Sequence, residues 1–355
     1  MATNLIVASH QWRTRSADER FATLEELKQA VLNRKNASLE GVVDTRDLQV
    51  LPVDGSIAIN FNGQSLEMTN WSFSQLCSLA SAPSSYLRTL TPELVSQNLN
   101  HSLPETRESA KLLLTSNGHT EVRAFTSESY GRIWDIDVVR AVEGLCERNP
   151  SWHNPPAYKR TGTDGTKMEN AGLYASDRDV FMFFVDEDHQ IEVGNEILSR
   201  GFFVWNSEVG KSSFGITTFL YRHVCANHIV WGAQEVCEMR VRHSLNAPSR
   251  AFTEIMPVLS KYVGSSTSHE VQTIRKAIEY RPAKNKEGTL EWLQDRGFTK
   301  AVSERAYEYA VNEEGNGTSL WNIVQGLSAM ARDRNHVDAR VDLERQAGRL
   351  LNILN

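Results

Sequence analysis

The stretch Gly201-Phe-Phe-Val-Trp-Asn-Ser-Glu-Val-Gly-Lys-Ser-Ser-Phe-Gly-Ile-Thr-Thr-Phe-Leu-Tyr-Arg-His-Val-Cys-Ala-Asn-His-Ile-Val-Trp-Gly232 decides the fold. It is the densest run of aromatic and β-branched residues in the chain, broken once by the polar Val209-Gly-Lys-Ser212. Apolar runs on either side of a short glycine-bearing break read as a hairpin over 201–209 and 213–225. Along the first strand Phe202, Val204 and Asn206 share one face, and Phe203, Trp205 and Ser207 the other. Both faces start apolar, so the strand is expected to be covered on both sides.

Working outward, Leu173-Tyr-Ala175 and Val180-Phe-Met-Phe-Phe-Val185 flank Ser176-Asp-Arg-Asp179, a second hairpin. The segments 173–185 and 201–224 are expected in one antiparallel sheet. Nearer the N-terminus, Asn62-Gly63 and Asn117-Gly118 are tight-turn dipeptides between β-like runs. Helical spacing marks 16–35, with Ser16 as cap, a segment from Asn70 ending at Ala82-Pro83, two short helices from Ser84 and Pro92, and 136–148. Residues 150–170, with three prolines, read as an exposed loop where a partner could dock.

After Gly232 the pattern is almost wholly helical, with segments at 248–262, 267–279, 289–296, 299–313, 318–333 and 337–353. The fold class that follows is α+β: a mixed, mainly antiparallel sheet with packed helices, followed by an α-helical C-terminal region. The division expected is a core domain over 1–262 and a helical region over 263–355 packed on it.

Composition sets limits. The 355 residues carry 38 Lys and Arg against 44 Asp and Glu, a net charge of −6, so nucleic-acid contact would have to come from a local patch. Four cysteines with no C-x-x-C pair indicate neither a zinc ribbon nor a disulfide scaffold. The N-terminus lacks the features of a signal peptide, and no run of 18 apolar residues occurs. A cytoplasmic protein without a membrane span is expected.

Several clusters could carry chemistry. Arg222, His223, Cys225 and His228 form His-x-Cys-x-x-His beside an arginine, with Asn227 between. Structural zinc sites want four ligands, so the readings that stand are a buried, unligated cysteine, a metal ligand set or a Cys–His pair. No metal or cofactor is assigned. Glu208 and Lys211 flank the hairpin turn, as a solvated loop or as a surface site at the sheet end. Gly210-Lys211-Ser212 lacks the first glycine of a phosphate-binding loop, because Trp205 stands there. Asp186-Glu-Asp-His189 reads as a solvated acidic loop after a strand. Arg222, Arg240, Arg242 and Arg250, with Lys211, His223 and His243, form a basic group interleaved with Phe219, Tyr221 and Trp231. Arginines contact phosphates and aromatic rings stack on bases, as single-strand binding requires.

Four stretches carry a family resemblance: Phe73-Ser-Gln-Leu with Ala82-Pro-Ser-Ser-Tyr-Leu87; Arg123-Ala-Phe-Thr-Ser-Glu-Ser-Tyr-Gly-Arg-Ile133; Asn206-Ser-Glu-Val-Gly210 running to Cys225-Ala-Asn227; and Ser319-Leu-Trp-Asn322 through Leu343–Leu351. On these the chain resembles the phage/plasmid-like family known as domain of unknown function 932. Where that family commonly has glycine after the asparagine, this chain has His228. The resemblance implies residence on a bacterial mobile element and no particular activity.

Three function classes are open at this point: a single-stranded nucleic-acid binder in replication or recombination, with annealing as one form; a protein-interaction factor acting on a host system; and an enzyme using Cys225 with a histidine. The partners considered are single-stranded DNA, a host or phage protein, and further copies of the chain.

Overall fold

The computed structural model describes residues 16–354 except 62, 107, 117–119, 155–159, 162–166, 169–171, 195, 223–227, 231–238, 333–342 and 344–345. The fold is α+β. Among the described residues the strands divide into two sheets and a two-stranded ribbon of β9 (Arg160–Thr161) and β10 (Lys167–Met168).

The first sheet has six strands. They are β2 (Ser38–Asp44), β3 (Gln49–Val53), β4 (Ser56–Phe61), β5 (Gln64–Met68), β6 (Ser109–Ser116) and β7 (Thr120–Ser127), in the order β2-β6-β7-β5-β4-β3. Only the β5–β7 pair is parallel. Both edges of the Asn-Gly turns pair as the sequence suggests; Asn62, Asn117 and Gly118 themselves lie outside the described residues. One face of this sheet packs on α2 (Asn70–Leu79), α3 (Ser84–Leu87) and α4 (Pro92–Thr106) through Leu76, Leu99, Leu103, Leu112 and Phe125.

The second sheet has eight strands. Its centre is β12 (Val180–Val193), β13 (Glu196–Asn206) and β14 (Phe214–Arg222), with β11 (Leu173–Ala175) and β1 (Arg20–Phe21) on one side. Beyond β14 lie β15 (His228–Val230) and β16 (Met239–Val241), and β8 (Trp152–His153) adds to β12. The segments 173–185 and 201–222 thus join one antiparallel sheet. Strand β13 is buried on both faces. One face meets α1 (Leu24–Asn36), α5 (Asp135–Arg148) and α7 (Met256–Val263) through Phe184, Phe202, Val204, Val138, Val142 and Leu259. The other carries Tyr174, Phe181, Phe183, Phe203, Trp205 and Phe219, whose rings run offset or tilted at centroid distances of 4.8–6.2 Å.

The far ends of β12–β14 hold the C-terminal helices. Ile191, Val193, Leu198 and Leu220 share a core with α8 (Ser268–Glu279), α9 (Lys286–Gln294), α10 (Lys300–Glu314) and α11 (Leu320–Arg332). Preceding them, α6 (Ala247–Arg250) and a π turn at Ala251–Ile255 lead into α7.

Three local expectations are corrected. The first helix starts at Leu24, not Ser16, because Thr23 and Glu26 form a reciprocal capping box and Arg20–Phe21 is taken by the sheet. Asp186-Glu-Asp-His189 is part of β12 at an irregularity in its pairing; Asp186 is buried, with Arg200 at 3.8 Å and His189 at 3.0 Å. Trp152, within the expected loop 150–170, is buried against Phe202 and Tyr262.

Candidate functional site

The β13–β14 turn is held from every side. Gly210 adopts φ +80°, the left-handed conformation that glycine tolerates. The Val209 carbonyl accepts from Trp71 Nε1 at 2.9 Å and Gln75 Nε2 at 2.7 Å, both on α2. The Tyr130 hydroxyl donates to the Ser207 carbonyl at 2.9 Å. Ser207 Oγ donates to the Arg178 carbonyl and accepts from the Lys211 amide. The turn therefore ties the second sheet to the first.

Glu208 sits inside this knot with 1% of its surface exposed. Its Oε2 lies 3.1 Å from Arg123 Nη2, and its Oε1 accepts from the Asp135 amide at 3.0 Å, at the positive end of α5. Arg123, on β7, also donates to Ser38 Oγ and to the Asp177 carbonyl. Asp135 is buried too: Oδ1 accepts from Asn206 Nδ2 at 2.8 Å, and Oδ2 is 3.8 Å from Arg34 Nη1. Arg132 donates to the Glu208 carbonyl and, through Nε, to Glu40 at 2.7 Å; its guanidinium packs over the Tyr130 and Trp134 rings.

Burial first, and the Glu208 charge second, push the Asp135 carboxyl well above its ordinary value. Burial likewise lowers the Arg123 guanidinium, against the pull of Glu208. Such a network favours one arrangement of its elements, because a buried charge that loses its partner is costly. The solvated-loop reading of Glu208 is thereby corrected: Arg123 requires a buried counter-charge, and Trp71, Gln75 and Tyr130 close the turn over it.

The expected basic group divides into an exposed part and a buried part. Lys211, Arg240 and Arg242 are exposed at the same sheet end, since Phe214 pairs with Val241 and Gly215 with Arg240. Arg240 stacks 5.5 Å from the Trp205 ring, which lies over Gly215; a Cβ on that glycine would fall 2.1 Å from the ring. Neither Lys211 nor Arg242 has a carboxylate partner among the described residues. Arg178, partly exposed beside Asp177, is at the same end, because Val180 pairs with Asn206.

His243 is instead buried, stacked on Tyr130 at 4.9 Å with Nδ1 3.1 Å from the Gly131 carbonyl. Burial lowers its pKa and favours the neutral ring. It is withdrawn from the phosphate-contacting set. Phe219 is also buried, stacked on Phe183, so it offers no face to a base. Arg250 pairs with Glu254 on its own helix turn. Arg222 ends β14 opposite His228 and Leu198. His223, Cys225, Asn227 and Trp231 lie outside the described residues, as does the expectation for Cys225. Among the described residues no three His, Cys, Asp or Glu side chains converge as a metal site.

Sequence reasoning did not connect Arg123, Tyr130, Arg132 and Asp135 with Glu208. The available signal was a pair of polar motifs of opposite charge, Arg123–Arg132 and Asn206–Gly210, each running out of the end of an apolar strand.

No helix among the described residues is long and apolar enough to cross a membrane. Residues 158–332 match the family described as a domain of unknown function, DUF932. No curated protein and no solved structure matches the chain.

Proposed function

Taking as premise a chain whose residues 158–332 match that family, we propose that it binds the phosphate backbone of single-stranded nucleic acid at the turn end of the second sheet. The protein serves a phage- or plasmid-like element in replication or recombination, with strand annealing as its form, in the bacterial cytoplasm. Lys211, Arg240 and Arg242 are the contacting groups. The observation that supports this reading is their common exposure at one sheet end, with no carboxylate beside Lys211 or Arg242 among the described residues, in a chain of net charge −6.

The division of labour within the turn adds support. Its buried side, centred on Glu208, fixes the backbone from Asn206 to Lys211. Its exposed side then presents cations on a rigid base, which lowers the ordering cost of binding. Trp205 holds the Arg240 guanidinium in place.

Backbone contacts carry no sequence information, so affinity should vary little among oligonucleotides of different sequence. It should fall with salt at a slope of roughly −0.7 per phosphate contacted. Fluorescence anisotropy of a labelled oligonucleotide across a salt series tests this. Absence of binding at low salt would remove the proposal and favour a protein-interaction role.

A further inference from the structure

The two sheets differ in how their edges are finished. An open edge strand presents unpaired N–H and C=O groups and is usually shortened, capped or interrupted. In the second sheet the outer strands are two or three residues long: Arg20–Phe21, His228–Val230 and Met239–Val241. In the first sheet the β3 edge carries Pro52 and is capped from α4. Asn100 donates to the Val50 carbonyl and accepts from the Val50 amide, and Ser96 donates to the same carbonyl at 2.6 Å. The β2 edge has none of these devices. It runs seven residues, Ser38-Leu-Glu-Gly-Val-Val-Asp44, and among the described residues its only strand partner is β6.

Beside the carboxylates of Glu40 and Asp44, this edge leaves apolar surface open. Leu39 and Val42 are 58% and 59% exposed, among the most exposed large apolar side chains described. Gly41 stands between them, and a Cβ built on it would meet nothing within 4 Å. A mid-strand glycine weakens a strand unless another backbone must come close, and none of the described residues comes close here.

We infer that β2 is the interface of a homodimer, pairing antiparallel with β2 of a second copy across a two-fold axis at Gly41. The register follows from the hydrogen-bond parity and the charges. The Ala37 carbonyl and the Thr45 amide bond toward the β6 side, so the odd-numbered residues face β6. The even-numbered residues, Ser38, Glu40, Val42 and Asp44, direct their backbone groups outward. Self-pairing must therefore match even residues with even. Centring on Glu40 puts two Glu40 carboxylates face to face. Centring on Val42 puts Glu40 opposite Asp44. Centring on Gly41 puts Glu40 opposite Val42, Leu39 opposite Val43 and Ser38 opposite Asp44, with no facing carboxylates. The same centring brings the two Gly41 residues together as a non-hydrogen-bonded pair, whose Cα atoms approach to about 4.5 Å. A two-fold pairing closes on itself and leaves no further edge in the first sheet open to growth.

Two variants test the pairing. In Val42→Pro the lost N–H is one that points outward, so the bonds to β6 are untouched. In Gly41→Cys the two sulfurs meet across the axis, since disulfides span Cα separations of about 4.4–6.8 Å. Sedimentation of the full chain should give a dimer for the wild type and a monomer for Val42→Pro, with unchanged circular dichroism. Mild oxidation should link Gly41→Cys into a covalent dimer and leave Val53→Cys, on the guarded β3 edge, unlinked. A monomeric wild type, a dimer persisting in Val42→Pro, or equal linking of the two cysteine variants would overturn the inference.

Discussion

Glu208 and Arg123 form an ion pair at 3.1 Å in which both side chains are almost wholly removed from water. One stands on the turn of the second sheet and the other on β7 of the first, 85 residues apart in sequence. A pair so buried holds its elements in place because either charge alone is costly to leave unpaired. Glu208→Ala should therefore lower unfolding free energy by about 3–5 kcal/mol. The double variant Glu208→Ala/Arg123→Met should cost less than the sum of the two single changes, by a coupling of about 0.5–3 kcal/mol. Urea titration of the four proteins of the cycle measures it, and additive losses would show that the pair does not act as a unit.

Asp135 gives a pH dependence with a definite sign. Its carboxyl binds a proton more tightly in the folded chain than in the unfolded one. That contribution to stability is complete below about pH 3.9 and is lost as pH rises through the folded value. Asp44, held down to about 2 chiefly by the hydrogen bonds that Arg46 donates to it, acts in the opposite direction, but it is common to both proteins and cancels in their difference. Asp135→Asn keeps an oxygen for Asn206 and removes the titration. The stability of Asp135→Asn minus that of the wild type should grow as pH is raised from 4 to 8, measured by urea midpoints.

His243 works the other way. Its folded pKa lies below the ordinary 6.5, so its contribution is present above that value and is lost as pH falls through the folded one. His243→Asn retains a donor for the Gly131 carbonyl and cannot take up the proton. Its stability should fall less than that of the wild type as pH drops below about 6.5, and parallel profiles would contradict the assignment.

Gly131 is held by packing. A Cβ there would fall 2.1 Å from the Ser244 carbonyl oxygen, a backbone atom with no freedom to retreat. Gly131→Ala should cost about 2–3 kcal/mol in thermal or urea unfolding, whereas an alanine at Gly41 meets none of the described residues.

Much of the fold was legible because it is written locally. The hairpins over 173–185 and 201–222 follow from apolar runs separated by short polar turns, and the C-terminal helices from their spacing. The start of the first helix was misplaced because Ser16 and Thr23 are both capping residues, and only the reciprocal bond to Glu26 distinguishes them. The candidate site was legible in part. Lys211, Arg240 and Arg242 were grouped by charge alone, and the pairing of Gly215 with Arg240 is what brings them to one sheet end. The buried side was hidden because Glu208, Arg123, Arg132 and Asp135 meet only through the docking of two sheets. In the sequence His243 reads as a surface cation, because nothing local shows that Tyr130 stacks on it.

In the function proposed above, the turn at 206–211 has a buried side that holds structure and an exposed side that binds nucleic acid. The most direct measurement is oligonucleotide anisotropy on Lys211→Ala/Arg242→Ala beside the wild type, with thermal unfolding of both. Arg240 is left intact because it also packs on Trp205. The account predicts an unchanged melting temperature, affinity at low salt reduced about equally for every sequence tried, and a salt slope flatter by roughly 1–2 contacts' worth. Equal affinity and equal salt slope for the two proteins would contradict it.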